Sequence, residues 1–167
     1  MESQKKQALI VALRLLTATA KSSKELEGKL QEKGFSPAVI LDTLQDLKKQ
    51  GFLNDAAYAK NLASRLTVER PSGRHKIDFE LKRHKVPAPI REEILAGLSP
   101  DGERAKAREL AQERWESFKN LPLEKRKKRT YDYLIRRGFE FQVARDLIEE
   151  MRSLETDENR PNPQHFS

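Results

Sequence analysis

The chain has 167 residues, with 33 Lys and Arg against 26 Asp and Glu and a formal charge of +7. Charged residues make up 35% and apolar residues 37%, against about 25% charged in an ordinary globular domain, so an array of small units suits the composition better than one thick core. The lack of cysteine excludes disulfides, thiolate zinc sites and cysteine nucleophiles, and a mean hydropathy of −0.80 argues against a membrane protein.

The run from Ala8 to Ala20, preceded by Lys5-Lys6, imitates an export signal, but Arg14 interrupts its apolar stretch. Leu9, Ala12, Leu13 and Leu16 fall on one helical face, which predicts a core helix and a cytoplasmic protein. Helical spacing then recurs along the chain, with little strand-like alternation. Ser22 and Glu25 form a capping box. Ser36-Pro37 and Ser99-Pro100 pair an N-cap with a proline at the first helical position. Asn54-Asp55 supplies another start, and Gly34, Gly51 and Gly138 mark left-handed stops. These signals predict helices near 4–20, 23–33, 37–50, 55–69, 74–84, 88–97, 101–119, 123–137 and 140–154. Residues 155–167 are acidic and proline-broken, which predicts a disordered tail that contributes nothing.

Internal similarity groups the helices in threes. Leu26, Ile77 and Thr130 align, as do Leu30, Leu81 and Leu134, and Phe35, Val86 and Phe139. Val39, Ile90 and Val143 follow, then Leu44, Leu95 and Ile148, at an offset of 51 and then 53 residues. The expected fold is all-α: three tandem three-helix repeats, at 1–54, 55–99 and 100–154, forming an elongated, curved array. A unit this small buries little by itself, so stacking on a neighbour supplies much of its stability.

The repeat alignment also sorts the charges. Lys76 corresponds to Arg129 and Arg83 to Arg136, where the first repeat has Glu25 and Glu32. Residues 119–137 hold eight cations and two anions, five of them consecutive in Lys125-Arg126-Lys127-Lys128-Arg129. Such crowding calls for a polyanionic partner, either nucleic-acid phosphates or an acidic protein groove. Tyr133 stands among them, although a solvated helix face accounts for many single cations. Arg74, Lys76, Arg83, Lys125, Arg126, Arg129, Arg136 and Arg137 are the candidate partner-binding and nucleic-acid-binding residues. Catalysis has little support. His75, His84 and His165 lack metal-ligand spacing, no phosphate-binding glycine loop is present, and Glu92-Glu93 and Glu149-Glu150 diverge from helices. The reading is a non-enzymatic binder with no catalytic residues, cofactor or metal. On charge alone, the leading function is stand-alone nucleic-acid binding by helix-turn-helix-like repeats.

Gly51-Phe52-Leu53-Asn54-Asp55, followed by Tyr58-Ala59, resembles a signature of the RecX family of recombination regulators. Gly73-Arg74, Lys76-Ile77, Glu80-Leu81 and Lys85-Val86 resemble that family's second landmark. Ala12–Leu16, Ser22, Glu25-Leu26 and Lys29-Leu30 fit early in the chain, and Leu134 with Arg137-Gly138-Phe139 fits late. The likeness spans roughly residues 8–152. His84-Lys85-Val86 stands where the family carries a glycine, with Pro87 and Pro89 behind it, so the turn at that corner is expected to differ. The resemblance implies three tandem three-helix repeats. It also implies binding to the RecA recombinase and its filament on single-stranded DNA, within the filament groove, restraining ATP hydrolysis, strand exchange and growth. Contact with single-stranded DNA is then weak or indirect, no membrane is involved, and a monomer is expected.

Overall fold

Helix starts follow the capping chemistry of the sequence. The computed structural model describes residues 2–158. In these it contains α1 (Glu2–Ala18), α2 (Ser23–Glu32), α3 (Pro37–Lys49), α4 (Asp55–Val68), α5 (Arg74–Arg83), α6 (Ala88–Ala96), α7 (Pro100–Ser117), α8 (Leu123–Arg136) and α9 (Phe141–Glu158), and no strand. The Ser22 hydroxyl accepts from the Glu25 N–H at 3.2 Å, and the Glu25 carboxylate accepts from the Ser22 N–H at 3.0 Å. Ser36, Asn54 and Ser99 cap α3, α4 and α7 in the same sense, each satisfying an N–H that has no partner within its own helix.

The aligned apolar positions point inward in each trio. Leu26, Ile77, Thr130, Leu30, Leu81, Leu134, Val86 and Phe139 are all buried. Backbone contacts divide the chain into two units, one of residues 1–69 with 77–97, the other of residues 70–76 with 98–167. The first is centred on Ala12, Leu26, Leu30, Ile40, Leu44, Leu47 and Leu53. The second is centred on Ala107, Ala111, Trp115, Leu134, Phe139, Leu147, Ile148 and Met151. The middle trio is thin because α6 contributes no buried residue.

One docking device occurs in both units, at positions related by the 51-residue offset. In the first unit the Ser23 N–H, at the start of α2, donates to Asp55 Oδ1 in the first turn of α4 at 2.7 Å. In the second, the Arg74 N–H, at the start of α5, donates to Glu103 Oε1 in the first turn of α7 at 2.8 Å. A carboxylate there meets both the unpaired amide and the positive end of the helix dipole. Just before these residues, the Ser22 hydroxyl donates to the His84 carbonyl at 2.6 Å. The equivalent Gly73 N–H donates to the Arg137 carbonyl at 2.8 Å, and the His75 N–H to the Gly138 carbonyl at 3.1 Å. Bare backbone makes the second contact closer. A Cβ on Gly138 would lie 2.3 Å from the Lys76 nitrogen, and one on Gly73 would lie 2.3 Å from the Gly138 carbonyl oxygen.

The expectation of an altered turn at His84-Lys85-Val86 is corrected. Lys85 adopts φ 55°, beside φ 84° for Gly34 and 83° for Gly138. The Lys85 N–H reaches the Lys82 carbonyl at 2.9 Å and the Val86 N–H the Leu81 carbonyl at 3.0 Å, the same pair of bonds that closes the other two corners. Burial of Val86 and Leu81 outweighs a left-handed lysine, which costs about 1–2 kcal/mol.

The expected tail is corrected at its start. α9 runs to Glu158, past the predicted end near 154. Glu155 accepts from the Trp115 indole N–H at 3.0 Å and pairs with the Arg126 guanidinium. Arg126 is 7% exposed, donates from Nε to the Trp115 carbonyl at 2.8 Å and stacks 4.3 Å from the Trp115 ring centre. A charge so enclosed needs these partners. Residues 159–167 lie outside the described residues.

Two outcomes are expected in urea denaturation. Gly138→Ala should cost about 2–3 kcal/mol, since left-handed strain and backbone overlap coincide, whereas Lys85→Gly should stay within about 1 kcal/mol of the parent. Truncation before Glu155 should cost about 1.5–3 kcal/mol, and should shift Trp115 fluorescence; an inert tail would change neither.

Candidate functional site

α8 carries half of the candidate residues, and the structure divides them. Lys125, Arg129 and Arg136 lie within about 40° of one another around the helix axis and are exposed. None has a carboxylate within ion-pairing distance among the described residues. The Arg129 guanidinium lies 5.7 Å from the ring centre of Phe118, just past the end of α7, and Arg114 of α7 sits 4.4 Å from that of Tyr133. Asp132 shares this face and is held by Lys128 at 2.9 Å. Lys127 is shared between Glu124 and Glu149 at 3.5 and 3.6 Å.

The other candidates have different tasks. Arg126 belongs to the core contact with Trp115 and Glu155, so its place on a binding surface is withdrawn. Arg137 turns away as well, donating from Nε and Nη2 to the Pro71 carbonyl at 2.9 and 2.6 Å. Arg74 pairs with Glu103 at 3.4 Å beneath the α5 terminus. Lys76 is half-buried, with its backbone against Gly138. Arg83 is exposed but carries its own counter-ion, Glu80, at 2.7 Å. The equivalences Lys76/Arg129 and Arg83/Arg136 therefore do not describe alike environments, because α5 uses its polar groups in docking and α8 leaves three unmatched. Glu25 and Glu32, the first-repeat counterparts, are also engaged, the former in the capping box and the latter with Lys29 at 2.7 Å.

Sequence reasoning missed one polar cluster. His84 Nδ1 lies 2.8 Å from Glu25 Oε1, and the Tyr58 ring meets the His84 ring edge-on at 5.9 Å. Burial, and then the Glu25 carboxylate, push the Tyr58 hydroxyl up to about 12, with Arg65 and Arg83 pulling the other way. Tyr58 therefore stays protonated at neutral pH. The three residues are far apart in sequence, and only the capping role of Glu25 was visible there. Among the described residues, no three His, Asp or Glu side chains are grouped to hold a metal ion, and no helix is long and apolar enough to cross a membrane.

Residues 8–47 match the family model for the first three-helix domain of RecX, and residues 101–148 match that for the third. A regulatory protein RecX from Prosthecochloris aestuarii is 30% identical over 155 residues, covering 90% of this chain and 97% of that protein. Another, from Chlorobaculum tepidum, is 31% identical over 147 residues, covering 88% and 89%. The crystal structure of RecX from Lactobacillus salivarius superposes with a TM-score of 0.80 at 18% identity, over 92% of this chain and 99% of that one, which speaks to the fold. A second crystal structure, of a regulatory protein RecX, gives a TM-score of 0.72 at 20% identity over 88% and 72%. Matches to the first and third three-helix domains of RecX, together with relatives at 30% and 31% identity aligned over nearly their whole length, place this chain in the RecX family.

Proposed function

We propose that this chain is a non-enzymatic, cytoplasmic regulator of the RecA recombinase that binds the recombinase and its filament on single-stranded DNA. It lies in the filament groove as three tandem three-helix repeats, at 1–54, 55–99 and 100–154, and restrains ATP hydrolysis, strand exchange and filament growth. The observation that carries the reading is the cationic strip of Lys125, Arg129 and Arg136, three charges on one face of α8 with no counter-ion among the described residues. Family membership supports the recombinase as partner. The strip supports a polyanionic element in the bound assembly.

A binder of this kind works by differential affinity. It shifts a filament between states only as far as it binds one state more tightly than the other. Three phosphate contacts are few, so bare single-stranded DNA is a weak ligand and the filament a strong one. A stand-alone nucleic-acid binder, which the same strip would also serve, reverses that order.

Fluorescence anisotropy with labelled oligothymidylate, with and without recombinase, separates the two. Binding to the bare strand should be weak, with a log–log salt slope of about −2 for three contacts; nanomolar binding without recombinase would establish the stand-alone reading instead. Charge reversal of Lys125, Arg129 and Arg136 together should leave the circular dichroism spectrum unchanged. It should also relieve inhibition of recombinase ATP hydrolysis by tenfold or more, taking about 0.5–1 kcal/mol per lost exposed contact. Undiminished inhibition would remove the strip from the interface.

A further inference from the structure

A second surface lies in the first unit, between the end of α1 and one face of α4. It is a cleft of about 450 Å³, a size within the range that holds small ligands and side-chain anchors. Leu16 and Leu62 form part of its aliphatic floor, and Phe52 stands at its edge, 58% exposed. An aromatic ring so exposed beside a concave apolar floor is the arrangement found where a partner inserts an anchor.

The charged side chains that line this cleft are cations, with the Glu25 carboxylate behind His84. Lys21 and Arg65 line it, and no carboxylate does. Elsewhere the chain pairs many of its cations, as in Lys5–Asp46, Lys24–Glu27 and Arg91–Asp78. Lys21 and Arg65 have no such partner among the described residues. His84 also borders the cleft, but Glu25 already occupies its Nδ1.

We infer that this cleft docks an acidic peptide segment of a protein partner, with an apolar side chain seated between Leu16 and Leu62 and flanking carboxylates on Lys21 and Arg65. A nucleic-acid strand fits less well. Its bases need open ring faces and its phosphates a continuous cationic track. Here the Tyr58 ring is engaged with His84, the floor is aliphatic, and two cations flank it. The inference stands apart from the α8 strip, which it leaves to the polyanion.

The test is anisotropy of a fluorescein-labelled peptide that alternates acidic pairs with phenylalanine, titrated with the full chain. The acidic peptide should bind, and the same peptide with lysine in place of its acids should not. Joint reversal of Lys21 and Arg65 to Glu should weaken binding about tenfold, two exposed contacts being lost and made repulsive. Ala57→Trp, which fills the exposed wall of the cleft without changing charge, should weaken it as well. The α8 triple reversal should bind the peptide like the parent, so that failure here and failure of the recombinase reading remain separate. Circular dichroism checks folding, and Lys21→Gln with Arg65→Gln replaces the reversal where folding suffers. No measurable binding, or equal binding by the reversed and filled variants, overturns the inference. Displacement of the peptide by oligothymidylate that is itself weakened by the same variants would assign the cleft to nucleic acid.

Discussion

The fold depends on how the first turns of α2 and α5 are satisfied by residues far along the chain. A helix N-terminus leaves amides without partners, and in a thin three-helix trio they cannot simply be buried. Ser23 uses Asp55 and Arg74 uses Glu103, while Ser22 and Gly73 reach the corner carbonyls of His84 and Arg137. The bonds are few, but they connect trios whose own cores are small, and α6, with no buried residue, shows how small. Stability in such a chain comes from helix packing and from junctions of this kind together.

This demand explains which charges remain for function. Glu25, Asp55, Arg74, Glu103, Arg126 and Arg137 look like surface charges in a sequence, yet each is committed to a junction or a core. The exposed strip on α8 is among the charges that remain after that sorting. Its three cations have no ion-pair partner among the described residues, while Lys127 and Lys128 beside them are paired.

Local chemistry made much of the fold legible. Caps at Ser22, Ser36, Asn54 and Ser99 act over three residues, and the apolar register acts over four, so both can be read directly. Internal similarity at offsets of 51 and 53 residues gave the correspondence of trios, which the family likeness matched. Long-range partners were not legible. Lys85 keeps a glycine-like turn because Val86 and Leu81 are buried, which no local pattern states. Arg126 lies within a run of five cations, and only its neighbours Trp115 and Glu155, 11 and 29 residues away, draw it inward. The boundary of the tail failed for the same reason, since an acidic residue in polar sequence gives no sign that an indole awaits it. For the proposed binding surface, composition pointed to α8, and the structure leaves three of its cations exposed.

Lysine footprinting on the assembled complex tests the central claim most directly. The protein would be acetylated briefly, free and bound to recombinase filaments on single-stranded DNA, and each lysine quantified by mass spectrometry. The account predicts strong protection of Lys125, with Lys24 and Lys29 on α2 modified equally in both states. Unchanged labelling of Lys125 alongside protection of the α2 lysines would contradict it.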